Sequence, residues 1–231
     1  ETQQKEPTVI LKCLDKCHGW DIPELYQALH ETQQKAPAVI LKCLDKCHHE
    51  LIPDLYEALP KDQKTVPAVI LKCLDKCSDR FIPDLYKALH ETQQKEPTVI
   101  LKCLDKCHHE LILSLYKACH RDALQNSDIV SAFLNTCLPK NIYFLYQKLP
   151  RENKTDPELN KKVIGLCPSN LLPELIKAMP NIDQDTLITA LKLNTDVWYV
   201  APDSLKTPPF IAKACFANPD LVWVIFEHNW R

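Results

Sequence analysis

Residues 1–18, ETQQKEPTVILKCLDKCH, recur letter for letter as residues 91–108, and imperfect copies occupy residues 31–48 and 61–78. The block PxVILKCLDKC therefore begins at Pro7, Pro37, Pro67 and Pro97, always 30 residues apart. A fixed period of this size marks a repeat array, in which each unit buries its apolar face only against its neighbours. An array of this kind grows as one core by addition of units.

Within one unit, Val9, Ile10, Cys13, Leu14 and Cys17 fall on a single broad stripe at helical spacing, with Lys12, Asp15 and Lys16 on the other side. Pro7 suits the first helical position, where its missing N–H costs nothing. After a short break, Ile22 to Leu29 reads as a second, shorter helix with Pro23 near its start. The polar stretch His30 to Lys35 either extends that helix or leads on to Pro37. The register outlasts the visible identity: Cys137 and Cys167 continue the cysteine series, and Tyr26, Tyr56, Tyr86, Tyr116 and Tyr146 form another. From residue 189 the period shortens, because Thr189–Val200 matches Lys213–Val224 at an offset of 24.

These patterns predict an all-α fold, an α-solenoid of tandem helix-turn-helix repeats with about eight helix pairs, right-handed by analogy with common α-solenoids. Near-identical 30-residue repeats fill residues 1–120, diverged ones 121–180, and shorter aromatic-rich capping repeats 181–231, all in one continuous solenoid. The aromatics Trp198, Tyr199, Trp223, Phe226 and Trp230 are expected to form the core of the cap. The tetratricopeptide unit of about 34 residues fits neither the length nor the pattern.

Composition narrows the function classes. Only 2 glycines are present, so glycine-rich phosphate loops and tight hairpins have almost no material. The formal net charge is −2, which gives no basic field for nucleic acid or an anionic membrane. No apolar run reaches membrane-spanning length. The chain starts partway through a unit and without an initiator Met, so it is expected to be part of a longer protein, and the lack of a targeting signal carries little weight.

Eight of the 12 cysteines recur as pairs four residues apart: Cys13/Cys17, Cys43/Cys47, Cys73/Cys77 and Cys103/Cys107. Parallel side chains on adjacent helical turns rarely reach disulfide geometry, so free thiols in a reducing compartment are expected. The recurring Cys-x-x-x-Cys-His raises a metal module as one alternative, since zinc takes three or four Cys, His or carboxylate ligands. Ser78 breaks that motif in one copy, and the thiols belong to the apolar stripe, where cysteine behaves as a small hydrophobe. A nucleic-acid-binding helical repeat is the other alternative, and Asp15 and the acidic loops offset its lysines. Thiol catalysis would need a lowered pKa and a positioned base, whereas Cys17 and His18, as sequence neighbours, point apart. No catalytic residue, metal site or cofactor is expected, and the chain is not expected to be an enzyme.

The segment Leu193-Asn194-Thr195-Asp196-Val197-Trp198-Tyr199-Val200-Ala201-Pro202-Asp203-Ser204-Leu205-Lys206, continuing to Ile211, resembles short helical repeats of unknown function found in bacterial proteins. Several of those are effectors that intracellular bacteria secrete into host cells. The resemblance covers roughly residues 186–226 and brings no catalytic motif. It implies a helical interaction protein of the cytoplasm, or of a host cytosol after secretion. The 18-residue identity also fits an array duplicated very recently or extended artificially.

Variation among otherwise identical copies is the most useful functional signal. The triplets after CLDKC read His18-Gly19-Trp20, His48-His49-Glu50, Ser78-Asp79-Arg80 and His108-His109-Glu110. Stacking constrains the helices, while these turns are free to change. They are the candidate partner-binding residues of a protein–protein interaction scaffold, the partner being another protein. Plain solvent exposure is the competing explanation for their variation.

Overall fold

A computed structural model describes residues 7–229, and among them every regular element is a helix. By internal packing the chain divides into two compact units, Glu1–Ala123 and Leu124–Arg231. The first boundary thus falls three residues beyond the end of the near-identical repeats, and the change of period near residue 181 lies inside the second unit.

In the first unit, leading helices span Pro7–Leu14, Pro37–Lys46, Pro67–Lys76 and Pro97–Lys106, and second helices span Ile22–Gln27, Ile52–Ala58, Ile82–Ala88 and Ile112–Ala118. Each leading helix packs on the next leading helix, and each second helix on the next second helix. Proline at the start of each leading helix holds the preceding residue extended, as at Ala36 with φ −73° and ψ 116°. The core is the repeated stripe: Val39, Ile40, Cys43 and Leu44 are buried, as are their copies in the next two repeats. Each fully buried Leu, Ile or Val contributes about 1.5–3 kcal/mol before chain entropy is counted.

The second unit repeats the arrangement with less regular sequence. Leading helices Ser127–Thr136, Pro157–Leu166, Gln184–Leu193 and Pro208–Ala217 pack in succession. So do Pro139–Lys148, Leu172–Ala178, Val197–Val200 and Leu221–Asn229. The described residues therefore contain the eight expected helix pairs.

The polar stretch between pairs has a structure of its own. Residues Glu31–Gln34, Lys61–Lys64, Glu91–Gln94 and Arg151–Lys154 each form one separate helical turn. Extended backbone at His30, Pro60, His90 and Pro150 breaks it from the helix before. The buried tyrosine of the second helix holds this turn in place. Tyr26, Tyr56 and Tyr86 donate their hydroxyls to the carbonyls of Gln34, Lys64 and Gln94 at 2.6–2.7 Å. The same residues reach back: Gln94 Nε2 donates to the Tyr86, Lys87 and Leu89 carbonyls, and Lys64 Nζ to the Glu57 carbonyl. These bonds satisfy the last carbonyls of the second helix, which has no glycine to cap it. At Tyr146 the hydroxyl meets Asn160 Oδ1 at 3.0 Å, while Asn160 Nδ2 donates to the Lys154 carbonyl. A side-chain amide there relays the same connection.

The aromatic end is only partly a core. Trp198 is buried beside Val197, but Tyr199, Trp223 and Phe226 are exposed, and Phe216 is 92% exposed. The short helices Val197–Val200 and Leu221–Asn229 bury one face each, through Val197, Trp198 and Leu221, so the residues beside these turn outward. Trp230 lies outside the described residues.

Replacing Tyr86 with Phe leaves the Gln94 carbonyl without its hydroxyl donor while keeping the ring. The expected cost is about 1–2 kcal/mol, read as a lower urea midpoint with unchanged helicity by circular dichroism. An unchanged midpoint would show that the clip contributes nothing.

Candidate functional site

The row of turns begins where each leading helix stops. Cys47, Cys77 and Cys107 adopt extended backbone with ψ near 140°, ending the helix without a left-handed residue. The next backbone N–H is then free to bond outside its own unit. His48 N–H donates to the Gly19 carbonyl at 3.0 Å, Ser78 N–H to His49 at 3.2 Å and His108 N–H to Asp79 at 3.1 Å. All four variable triplets are joined by this hydrogen-bonded row. His18, Trp20, His49, Asp79, Arg80, His109 and Glu110 are exposed, and Gly19, His48, Glu50, Ser78 and His108 half-buried.

Side chains along the row touch one another. The Trp20 indole stacks on the His48 ring at 3.7 Å between centroids. His48 lies 4.1 Å from His49, and His108 lies 4.3 Å from His109. A Cβ on Gly19 would stand 2.8 Å from the Lys46 carbonyl oxygen and 3.0 Å from the His48 nitrogen. The first turn thus approaches its neighbour more closely than a side chain permits. Gly19 is held by packing, contrary to the sequence expectation that every turn position varies freely.

A second connection was hidden in residues assigned to the solvent side. Lys42 and Lys46 both face Asp15 of the preceding repeat, Lys46 at 3.7 Å. Lys72 and Lys76 face Asp45 at 2.6 and 3.2 Å, and Lys102 and Lys106 face Asp75 at 3.0 and 3.8 Å. Lys46 Nζ also reaches the Asp15 carbonyl at 3.2 Å, and Lys106 Nζ the Leu74 and Asp75 carbonyls at 2.8 and 2.9 Å. Lys46 and Lys106 therefore cap the C-terminal end of the leading helix before them, where the helix dipole favours a cation. Lys42 beside Asp15, and Lys72 beside Asp45, hold those carboxyls below the usual range. The spacing of 27 and 31 residues between Asp and Lys was visible in the sequence, but only stacking gives it meaning. These lysines are engaged between repeats and do not form an open basic face.

In the shorter units an asparagine takes the connecting role. Asn194 Nδ2 donates to the Ser169 carbonyl at 2.7 Å, and Asn218 Nδ2 to Leu191 at 2.8 Å. Their Oδ1 atoms accept from the Asp196 and Asp220 N–H groups.

Most of the thiols face the interior. All twelve cysteines are unpaired; nine are buried, Cys17 and Cys215 are half-exposed and Cys13 is exposed. Burial pushes Cys43, Cys47, Cys77, Cys107 and Cys119 up to about 12 and Cys137 and Cys167 to about 11, and raises Cys73 and Cys103 as well. A nucleophilic thiolate requires the opposite shift. Among the described residues, no three His, Cys, Asp or Glu side chains converge as a metal-binding group. No helix among them is long and apolar enough to cross a membrane.

Comparison with protein-family models, curated proteins and solved structures finds no match to this chain.

Three outcomes follow from this geometry. Ellman's reagent at neutral pH should label Cys13 and Cys17 promptly and Cys215 more slowly. The nine buried thiols should react only on unfolding. Because these thiols bind protons more tightly folded than unfolded, stability should be full below about pH 8.5 and fall as pH rises toward about 12. A urea midpoint that stays flat across this range would contradict the buried assignment. Separately, Gly19→Ala should cost roughly the 1–3 kcal/mol of an overpacked contact, read as a lower thermal midpoint, whereas His49→Ala should change little.

Proposed function

We propose that the chain is a non-catalytic protein–protein interaction scaffold, built as an α-solenoid, whose partner contacts the row of turns. The observation that supports this is the division of labour within the repeat. The invariant CLDKC and tyrosine positions make the contacts between repeats, while the variable triplets form one connected, largely solvent-facing row. Side chains there can change without loss of the core, apart from Gly19, and a rigid backbone holds them in fixed register. The partner is another protein, met in the cytoplasm or in a host cytosol; the likeness of the 24-residue units to repeats of secreted bacterial effectors supports that setting. An enzyme finds no support in the raised thiols, and a nucleic-acid array finds none in lysines already paired with aspartates.

The test is proximity crosslinking in cells with two variants of equal stability. One carries Arg80→Glu, His109→Ala and Glu110→Lys in the turns. The other carries Glu57→Lys, Lys87→Glu and Lys117→Glu on the second helices, outside the row. The same protein should crosslink to the parent and to the second variant, and be lost from the first. Equal recovery by both variants would refute the row as the contact surface.

A further inference from the structure

The first repeat has the same leading-helix stripe and tyrosine register as the repeats that follow, but one of its faces is differently exposed. Val9 is 39% exposed, against 0% for Val39 and 4% for Val69. Cys13 is exposed where Cys43, Cys73 and Cys103 are fully buried. Leu25 and Leu29 are half-buried where Leu55, Leu59, Leu85 and Leu89 are buried. These four side chains line one cleft. In repeats two to four the same positions are covered by the repeat before, since the leading and second helices pack on their predecessors.

Polar groups on this face match too. Lys12 and Lys16 occupy the positions of Lys42/Lys46 and Lys72/Lys76, each pair of which faces an aspartate of the repeat before. No carboxylate among the described residues pairs with Lys12 or Lys16. His18 N–H stands where His48, Ser78 and His108 donate to a preceding carbonyl. An apolar cleft, two cations and one backbone donor thus recur in the geometry that receives a repeat elsewhere in this chain.

From this match, we infer that the Val9–Cys13–Leu25–Leu29 face is a docking surface for one further 30-residue repeat of the same type. Its leading-helix aspartate pairs with Lys12 and Lys16, and the carbonyl in its turn accepts the His18 N–H. Charge complementarity specifies the register, because a slip of one residue along the helix would carry that carboxylate away from both lysines. This surface is distinct from the row of turns, and the inference stands whether or not that row binds a protein.

The experiment extends the full chain at its N-terminus by one copy of the sequence of residues 1–30 and follows Cys13 by thiol labelling and mass spectrometry. Labelling of Cys13 should slow by roughly tenfold or more, toward the rate of Cys43, as expected of a thiol moved from solvent into a core. Changing the added copy's aspartate to lysine should restore part of the labelling, and Lys12→Asp with Lys16→Asp should protect Cys13 again in that background. Cys13 labelled as fast in the extended chain as in the parent overturns the inference, whether or not the added copy is helical. So does a parent chain that protects Cys13 by self-association, seen as a concentration-dependent rate, because the occupant would then be a second copy. Protection insensitive to the aspartate would overturn the assigned register.

Discussion

No repeat of this chain can bury its own stripe. In the first four repeats a leading helix of eight or ten residues carries Val, Ile, Cys and Leu across a broad face, and its partner helix of six or seven residues covers only part of it. The remainder is covered by the neighbouring repeat, so contact between successive repeats is the interaction on which the rest depends. Helices this short are marginal in isolation, and packing supplies most of their stability. The first repeat shows the consequence directly: with the same leading-helix sequence as the fourth, Val9 and Cys13 are open where Val99 and Cys103 are buried. Burial here is a property of position in the array rather than of the residue.

Cysteine suits this arrangement for a physical reason. The leading helices of successive repeats pack side by side, and a small polarizable side chain fills the space between them without the bulk of leucine. At Phe133, in the second unit, the same register carries a much larger side chain, and the sequence around it has changed too. Burial keeps these thiols protonated, and in repeats two to four both cysteines of the recurring pair lie in the core. His48 and His108 take part in turn contacts, His48 stacking on Trp20 and the two lying tilted against His49 and His109.

Much of the fold was legible in the sequence, because a period repeated four times averages away the ambiguity of any one segment. The stripe, the prolines and the tyrosine register placed the helices and the core before any coordinates. What escaped was polar and relational. The run ETQQK carries no apolar pattern, so nothing local reveals that a tyrosine hydroxyl eight residues earlier fixes it as a separate turn. Lys12, Asp15 and Lys16 read as a solvated face because a helical wheel has no neighbour on it. The partners of Asp15, Lys42 and Lys46, lie 27 and 31 residues away and become visible only when repeats are stacked. Gly19 looked like free variation, and only the nearby Lys46 carbonyl explains it. The aromatic end was misjudged in part because helices of four and nine residues bury one narrow face, leaving Trp223 and Phe226 outside it.

The turns and the lysine pairs therefore divide the polar surface between two tasks. The Asp–Lys contacts are partly exposed ion pairs, each of which contributes modestly to stability. Their value lies in register: a repeat displaced along its helix loses the carboxylate, the capped carbonyls and the turn-to-turn hydrogen bond together. Such polar requirements distinguish one stacking geometry from the many that a broad apolar stripe would tolerate. Once the register is fixed from behind by these contacts, the side chains of the turn have no remaining structural duty except where backbones touch, as at Gly19. That freedom lets the triplets differ between repeats that share the block VILKCLDKC.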